Sequence, residues 1–229
     1  MNQKLFLMAL LALFMVACQE EKSENNAQAE VKAQQEVPDA QTQDLTKLGV
    51  EEKTLGKGLM VGDDAPEIAG KDQNGNEVSL HEMLKSGPVA VVFYRGYWCP
   101  VCNRELKGLQ ENLDQITAAG GQLLVVSPEQ LKGAQKISEK VGASFSIIPN
   151  ATQTVADYKV GFEVTEAYQQ MIREKLSEDI AQNNGSDKAI LPVPATFVVG
   201  QDGKVIYRQY DVNYKQRASA ADIAAAMKG

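Results

Sequence analysis

The chain has 229 residues, with 23 Lys and Arg against 30 Asp and Glu, a single histidine and a formal net charge of -7. It contains no basic cluster of the kind that holds nucleic acid, and the acidic balance argues against adhesion of the folded part to anionic lipid. Three cysteines are an odd number, and no glycine-rich phosphate loop or internal repeat is visible.

Residues 1–17 read as a targeting segment. Lys4 gives it a positive start, and the apolar run 5–16 is too short to span a bilayer. It ends Phe14-Met15-Val16-Ala17-Cys18, which resembles a bacterial lipoprotein signal with Cys18 as the lipid-bearing residue, although Met15 stands where leucine is usual. The other reading is ordinary cleavage that leaves Cys18 an idle thiol. Lipidation accounts for the odd cysteine, because it leaves Cys99 and Cys102 as a pair. Two or three acyl chains would hold the protein firmly to a bacterial membrane, on the periplasmic or cell-surface side. Loss of residues 1–17 removes Lys4 and takes the net charge to -8.

Residues 18–58 follow as a lipidated cysteine and flexible polar tether. Up to residue 47 it is rich in Gln, Glu, Ala and Asn and has no aromatic residue, a composition that buries too little surface to offset its ordering entropy. The part from Leu48 to Met60 has no clear assignment. One domain is expected over 59–229, long enough for a real core.

Within it, residues 72–76 (Asp-Gln-Asn-Gly-Asn) read as a hairpin tip, since Asn-Gly readily takes positive φ. Ser79 can cap a short helix through Leu84, with His81 on its surface, before Gly87-Pro88 ends it. The unbroken apolar run 89–94 is a strand buried on both faces. Leu106, Leu109, Leu113 and Ile116 then recur at helical spacing up to Gly120-Gly121. Residues 122–127 form a second buried strand, 128–141 a helix, 145–148 a short strand and 152–158 a helix. An amphipathic helix over 164–182 lies in an insertion that ends at Asn183-Asn184-Gly185. Strands 195–199 and 204–210 join at Asp202-Gly203, and a helix over 218–228 closes the chain. This order gives an α/β fold.

The Cys99-Pro100-Val101-Cys102 sequence falls where the first buried strand gives way to a helix, at the carboxyl end of a strand, where open α/β sheets place their chemistry. Unpaired N–H groups and the helix dipole favour an anion there, so Cys99 should ionise easily. Pro100 fits the first turn, and Cys102, one turn on, can reach Cys99. Cys99 is thus the expected nucleophile and Cys102 the resolving thiol. An inert structural disulfide and half of a zinc site are the other readings. Structural zinc needs four ligands, and the chain offers only His81 and no second cysteine pair. No metal or cofactor is implied.

With Trp98-Cys99-Pro100-Val101-Cys102 at this junction and Val193-Pro194-Ala195-Thr196-Phe197 before the last hairpin, the chain resembles the thioredoxin-fold superfamily. More narrowly, it is similar to the peroxiredoxin-like branch of the alkyl hydroperoxide reductase/thiol-specific antioxidant family. Further signals are Val61-Gly62-Asp63-Asp64-Ala65-Pro66, Phe93-Tyr94-Arg95-Gly96, and Asp211-Val212-Asn213-Tyr214 with Arg217. The resemblance implies a thioredoxin-like fold, a central mixed sheet flanked by helices, with the helical insertion preceding a cis-proline at Pro194. That proline would expose the backbone edge of Val193 to a partner; a plain rigid loop is the other reading of Pro192-Val193-Pro194. The family's threonine or serine before the cysteine is Gly96 here, its proline is Val92, and its arginine is Pro194. Arg95 and Arg208 are the candidate replacement cations, or else solvated surface charges.

Three functions follow. In the first, Cys99 attacks a hydroperoxide, Cys102 condenses with the resulting sulfenic acid, and a thioredoxin-like electron donor reopens the pair. In the second, the protein is a membrane-anchored reductase of disulfides in exported proteins, with Trp98 and Val193 as its docking surface. The third is a non-enzymatic binding lipoprotein on the same scaffold, for which a buried, unreactive Cys99 would argue.

Overall fold

The computed structural model describes residues 44–228. The expected signal, Cys18 and most of the tether lie outside the described residues. Five strands form the central sheet in the order β5-β4-β3-β8-β9. They are β3 (Val89–Phe93), β4 (Gln122–Val126), β5 (Ser146–Ile148), β8 (Ala195–Val199) and β9 (Val205–Tyr210). β3 pairs in parallel with β4, and β4 with β5, whereas β8 runs antiparallel to both β3 and β9. This is the expected mixed sheet flanked by helices.

Strand periodicity divides the core. Val89, Val91 and Phe93 point to one face, with Leu124, Val126, Tyr158 and Phe197. Ala90, Val92 and Tyr94 point to the other, where Cys99, Cys102, Leu106, Ile116 and Ile223 pack. The first face is covered in part by the hairpin of β1 (Ala69–Lys71) and β2 (Glu77–Ser79) and by helix α2 (Leu80–Leu84). The hairpin turn at Asp72 forms as its residue types require: Gly75 has φ +87°, and Asp72 Oδ1 accepts from the N–H groups of Asn74 and Asn76.

Several boundaries differ from expectation. The helix after Cys99 is two helices, α3 (Pro100–Glu111) and α4 (Leu113–Ala118). The break falls at Asn112, whose side-chain amide donates to Gly108 O at 2.9 Å and competes for the backbone acceptor. Helix α5 (Leu131–Val141) starts three residues late, because 127–130 form a loop in which Ser127 Oγ accepts from the Glu129 N–H. The insertion holds α7 (Glu166–Leu176) and α8 (Ile180–Asn183), separated by Ser177 at φ +55°. Two unexpected strands bracket it, β6 (Gly161–Glu163) and β7 (Ile190–Pro192), paired antiparallel. Helix α6 (Thr152–Asp157) precedes them, and α9 (Ala220–Met227), started by a Ser219/Asp222 capping box, closes the chain.

Residues 44–58 are not free tether. They form α1 (Leu45–Leu48) and a 3-10 turn, and Val50 is buried and bridges Val164. The N–H groups of Gly56 and Gly58 donate to Gly161 O and Lys159 O. These bonds strap the segment along β6, so the folded unit starts earlier than residue 59.

Pro194 also departs from expectation. The described residues contain no cis peptide bond, so Val193–Pro194 is trans. The Val193 N–H donates to Val160 O at 2.7 Å, and the next residue, Ala195, already pairs with Tyr210 in the sheet. An extended trace from β7 into β8 meets both demands. Val193 is 0% exposed and presents no edge to a partner. No helix among the described residues is long and apolar enough to cross a membrane.

Candidate active site

β3 ends at Phe93, and Tyr94, Arg95, Gly96, Tyr97 and Trp98 carry the chain to α3. Cys99 is the N-cap of α3, with extended φ/ψ (-84°, 111°), and Pro100 opens the helix. The Cys99 sulfur does what a capping oxygen usually does: it accepts from the Cys102 N–H, at 3.4 Å. Cys102 lies on the inward face of the first turn, beside Cys99. Both thiols are free and 0% exposed.

The two sulfurs differ sharply in ionisation. Hydrogen bonding from the Cys102 thiol, then the Arg95 charge and the Cys102 N–H, bring Cys99 down to about 5 against the opposing effect of burial. Burial, reinforced by Cys99, pushes Cys102 well above the ordinary thiol range. Near neutral pH the pair therefore holds one thiolate, at Cys99, and one protonated thiol. Cys99 is buried but poised, which separates it from the inert buried thiol of a mere scaffold.

Arg95 is the cation at Cys99. It is buried, and its Nη2 donates to the Cys99 sulfur at 3.2 Å while Nη1 donates to the Tyr168 hydroxyl at 3.1 Å. Its guanidinium lies 3.8 Å from the centroid of the Tyr214 ring and 5.5 Å from that of Trp98. Burial alone would favour the neutral guanidine, but the neighbouring thiolate keeps Arg95 charged. Arg208, the other candidate, is elsewhere: Nη2 donates to Lys57 O at 2.6 Å and the guanidinium stacks on Tyr210. Its place on β9, beside the N-terminal strap, makes it a structural residue.

Glu129 also faces this region, and sequence reading missed it. The Tyr94 hydroxyl donates to its Oε1 and the Tyr97 N–H donates to its Oε2 at 2.9 Å. Burial raises its carboxyl to about 7, partly offset by those two hydrogen bonds. Arg217 approaches from the segment before α9: Nη2 lies 3.6 Å from the Cys102 sulfur, and Nη1 pairs with Glu105 of α3. Of the expected site residues, Cys99, Cys102, Arg95 and Trp98 are brought together. Val193 shares their core, but with its backbone already bonded, and Pro194 is buried.

The position of Gly96 explains one departure from the family pattern. Its φ is +149°, and a Cβ there would lie 2.3 Å from Trp98 Nε1. The Trp98 ring fills the space a threonine side chain would need. Val92 is paired on both sides, with Val125 and Thr196, in the middle of the sheet. A proline there would remove a ladder donor.

A comparison with protein families matches residues 61–208 to the AhpC/TSA family. The chain belongs to the AhpC/TSA family. As a member, it is 25% identical over 154 residues to a Mycobacterium tuberculosis protein whose name assigns it to the peroxiredoxins, covering 67% of this chain and 87% of that one. It is 28% identical over 99 residues to peroxiredoxin Bcp of Escherichia coli, covering 43% of this chain and 63% of the relative. Among solved structures, peroxidoxin BcpB of M. tuberculosis aligns with a TM-score of 0.57 at 17% identity, over 74% of this chain and 96% of the other. A peroxiredoxin-like protein from Aquifex aeolicus aligns at 0.55 and 20% identity, over 76% and 89%. These structures share the thioredoxin-like fold with this AhpC/TSA chain.

Proposed function

We propose that this chain is a thiol peroxidase that uses Cys99 and Cys102 as its redox pair. The observation that carries the reading is the Cys99 sulfur held as an anion between Arg95 and the first turn of α3, with Cys102 alongside. The Cys99 thiolate attacks one oxygen of a hydroperoxide; the O–O bond breaks, and the alkoxide leaves with a proton from water as an alcohol. The sulfur is oxidised to a sulfenic acid. Cys102 then attacks that sulfur, the hydroxyl departs as water, and a disulfide remains for a thioredoxin-like dithiol to reduce. Arg95 serves in the place of the family's threonine and arginine. Membership of the AhpC/TSA family supports the same chemistry.

A reductase of protein disulfides is less well supported, because it needs an accessible docking edge and Val193 is fully buried. The signal-like sequence before Cys18 supports placing this activity at the end of a lipid anchor on a bacterial membrane. Stopped-flow oxidation of the reduced protein by hydrogen peroxide and by an organic hydroperoxide tests the peroxidase reading. Rates at least 100-fold above that of free cysteine are expected. Reaction no faster than free cysteine, with rapid reduction of protein disulfides, would replace this reading with the reductase. Metabolic labelling with palmitate, lost in Cys18→Ser, tests the anchor.

A further inference from the structure

The peroxidase reading leaves one problem open. Cys102 must lose its proton to attack Cys99, yet it is 0% exposed and burial holds its proton in place. The charge of Arg95 is felt at Cys102 too, but its hydrogen bonds go to Cys99 and Tyr168, so it offers Cys102 no direct donor.

We propose that Arg217 is the cation for Cys102, and that Glu105 positions it. Arg217 Nη2 lies 3.6 Å from the Cys102 sulfur, Nη1 binds the Glu105 carboxylate, and Nε donates to Tyr214 O at 2.8 Å. Every nitrogen of the guanidinium is thus placed, and the nitrogen facing the sulfur has no other partner among the described contacts. The side chains of Arg217 and Glu105 are 10% and 5% exposed, so their mutual attraction is poorly screened by solvent. Both line a cavity of about 590 Å³ beside α3, together with Arg104, Asn112 and Lys215. Cys102 itself stays out of that cavity, and its proton leaves with the sulfenic hydroxyl of Cys99 as water.

The ionisable groups facing Cys102 come from several elements. Cys99 caps α3 and Glu105 lies within it, Tyr94 and Arg95 come from the loop between β3 and α3, Glu129 from the loop after β4, and Arg217 from the segment before α9. Cys99, once oxidised to sulfenic acid, no longer repels a second thiolate. Arg217, in contact with the sulfur, then favours ionisation, and Cys102 closes the disulfide. The sulfur of Cys102 is oxidised, that of Cys99 is reduced, and water leaves. Each sulfur has its own arginine, and Tyr214 ties the two together: its ring carries Arg95 and its carbonyl holds Arg217.

This inference rests on the reading that Cys102 attacks Cys99, so its test must not depend on peroxide alone. The reduced full chain is mixed with hydrogen peroxide in one arm and with methyl methanethiosulfonate in the other. The latter places a methylthio group on Cys99 and releases methanesulfinate, and attack by Cys102 then expels methanethiol. In both arms the second, concentration-independent step is Cys102 attack, followed by fluorescence of Trp98, the chain's only tryptophan, and by the mass of the Cys99–Cys102 peptide after acid quench. Arg217→Met is expected to slow that step about tenfold at pH 7 and to move its pH dependence upward by about one unit, since tenfold in thiolate corresponds to one pKa unit. Glu105→Gln/Arg217→Met, which leaves no unpaired buried carboxylate, should still slow it at least threefold. Arg217→Lys should recover most of the rate. An unchanged pH profile in the two methionine variants, or equal slowing of the first and second steps, overturns the inference. If peroxide fails to oxidise Cys99, the peroxidase reading falls, and the methanethiosulfonate arm still decides the role of Arg217.

Discussion

Arg95 Nη2 lies 3.2 Å from the Cys99 sulfur, and the same guanidinium takes the Tyr168 hydroxyl with its other terminal nitrogen. A single buried cation thus ties the N-terminus of α3 to α7 of the insertion. The helix end and the cation act on the thiol in the same direction, and together with the Cys102 hydrogen bond they outweigh burial.

Replacing Arg95 with methionine keeps much of the volume and removes the charge. The Cys99 thiol, held at about 5, should rise toward the ordinary thiol range. At pH 6 the wild-type thiol is almost fully ionised, so a rise of two units or more is what costs about tenfold in thiolate. Oxidation at pH 6 should therefore slow at least tenfold, and much less at pH 9. The absorbance of the thiolate near 240 nm against pH checks the cause; an unmoved titration would remove Arg95 from the mechanism.

Gly96 should tolerate no side chain. In Gly96→Ala the new Cβ meets the Trp98 ring at a φ of +149°, and strain of this kind costs about 1–3 kcal/mol. Urea unfolding reads the loss, and the emission of Trp98 should shift with it. A Gly96→Thr variant, which restores the family's residue, is expected to do worse rather than better. Wild-type stability in either variant would contradict the packing described.

Glu129 makes stability depend on pH. Its carboxyl is raised from 4.5 to about 7 in the fold, so the folded state binds a proton that the unfolded chain gives up. The resulting stabilisation is complete below about pH 4.5 and disappears as the pH climbs through 7. It amounts to on the order of 3 kcal/mol. Cys99, lowered in the fold, slopes oppositely. Comparison with Glu129→Gln isolates one group: the wild-type advantage should shrink steadily between pH 4.5 and 7, then level off. A constant difference across that range would contradict the burial of this carboxylate.

Phe197 sits on the opposite face of the sheet from the thiols. Its ring centroid is 6.1 Å from that of Phe93, edge to face, and 5.8 Å from that of Tyr158. Phe197→Ala should cost about 3–5 kcal/mol. At 15 °C, where the variant remains folded, the peroxide rate of Cys99 should stay within about twofold of wild type. Loss of rate without loss of stability would mean that the two faces are not independent.

The sequence made some of this visible and hid the rest for physical reasons. β3, β4 and β8 announced themselves because a strand buried on both faces is continuously apolar and bounded by turn residues, and β9 through the Asp202-Gly203 turn before it. The N-terminal position of Cys99 followed from the same boundary, and Arg95 from its nearness in the chain. Tyr168, Tyr214, Arg217 and Glu129 lie 73, 119, 122 and 34 residues from Arg95 along the chain, as isolated polar residues that carry no period. Only Tyr214 and Arg217 stood out, through a resemblance to a family pattern. Strands β6 and β7 are three residues each, too short for alternation to register. Pro194 misled because the cis assignment came from redox relatives that place a proline there, whereas the backbone bond of Val193 to Val160 sets the local path.

Neither sulfur is open to solvent, and both lie under the first turn of α3. Whatever reacts with Cys99 must wait for that turn to loosen, and the looser the turn must become, the rarer the event. Reagents are therefore ranked by bulk before chemistry begins: a two-oxygen molecule needs a brief crack, and a protein dithiol a wide one. In the proposed cycle, oxidation and re-reduction would thus be set at different tempos by the fraying of one helix end.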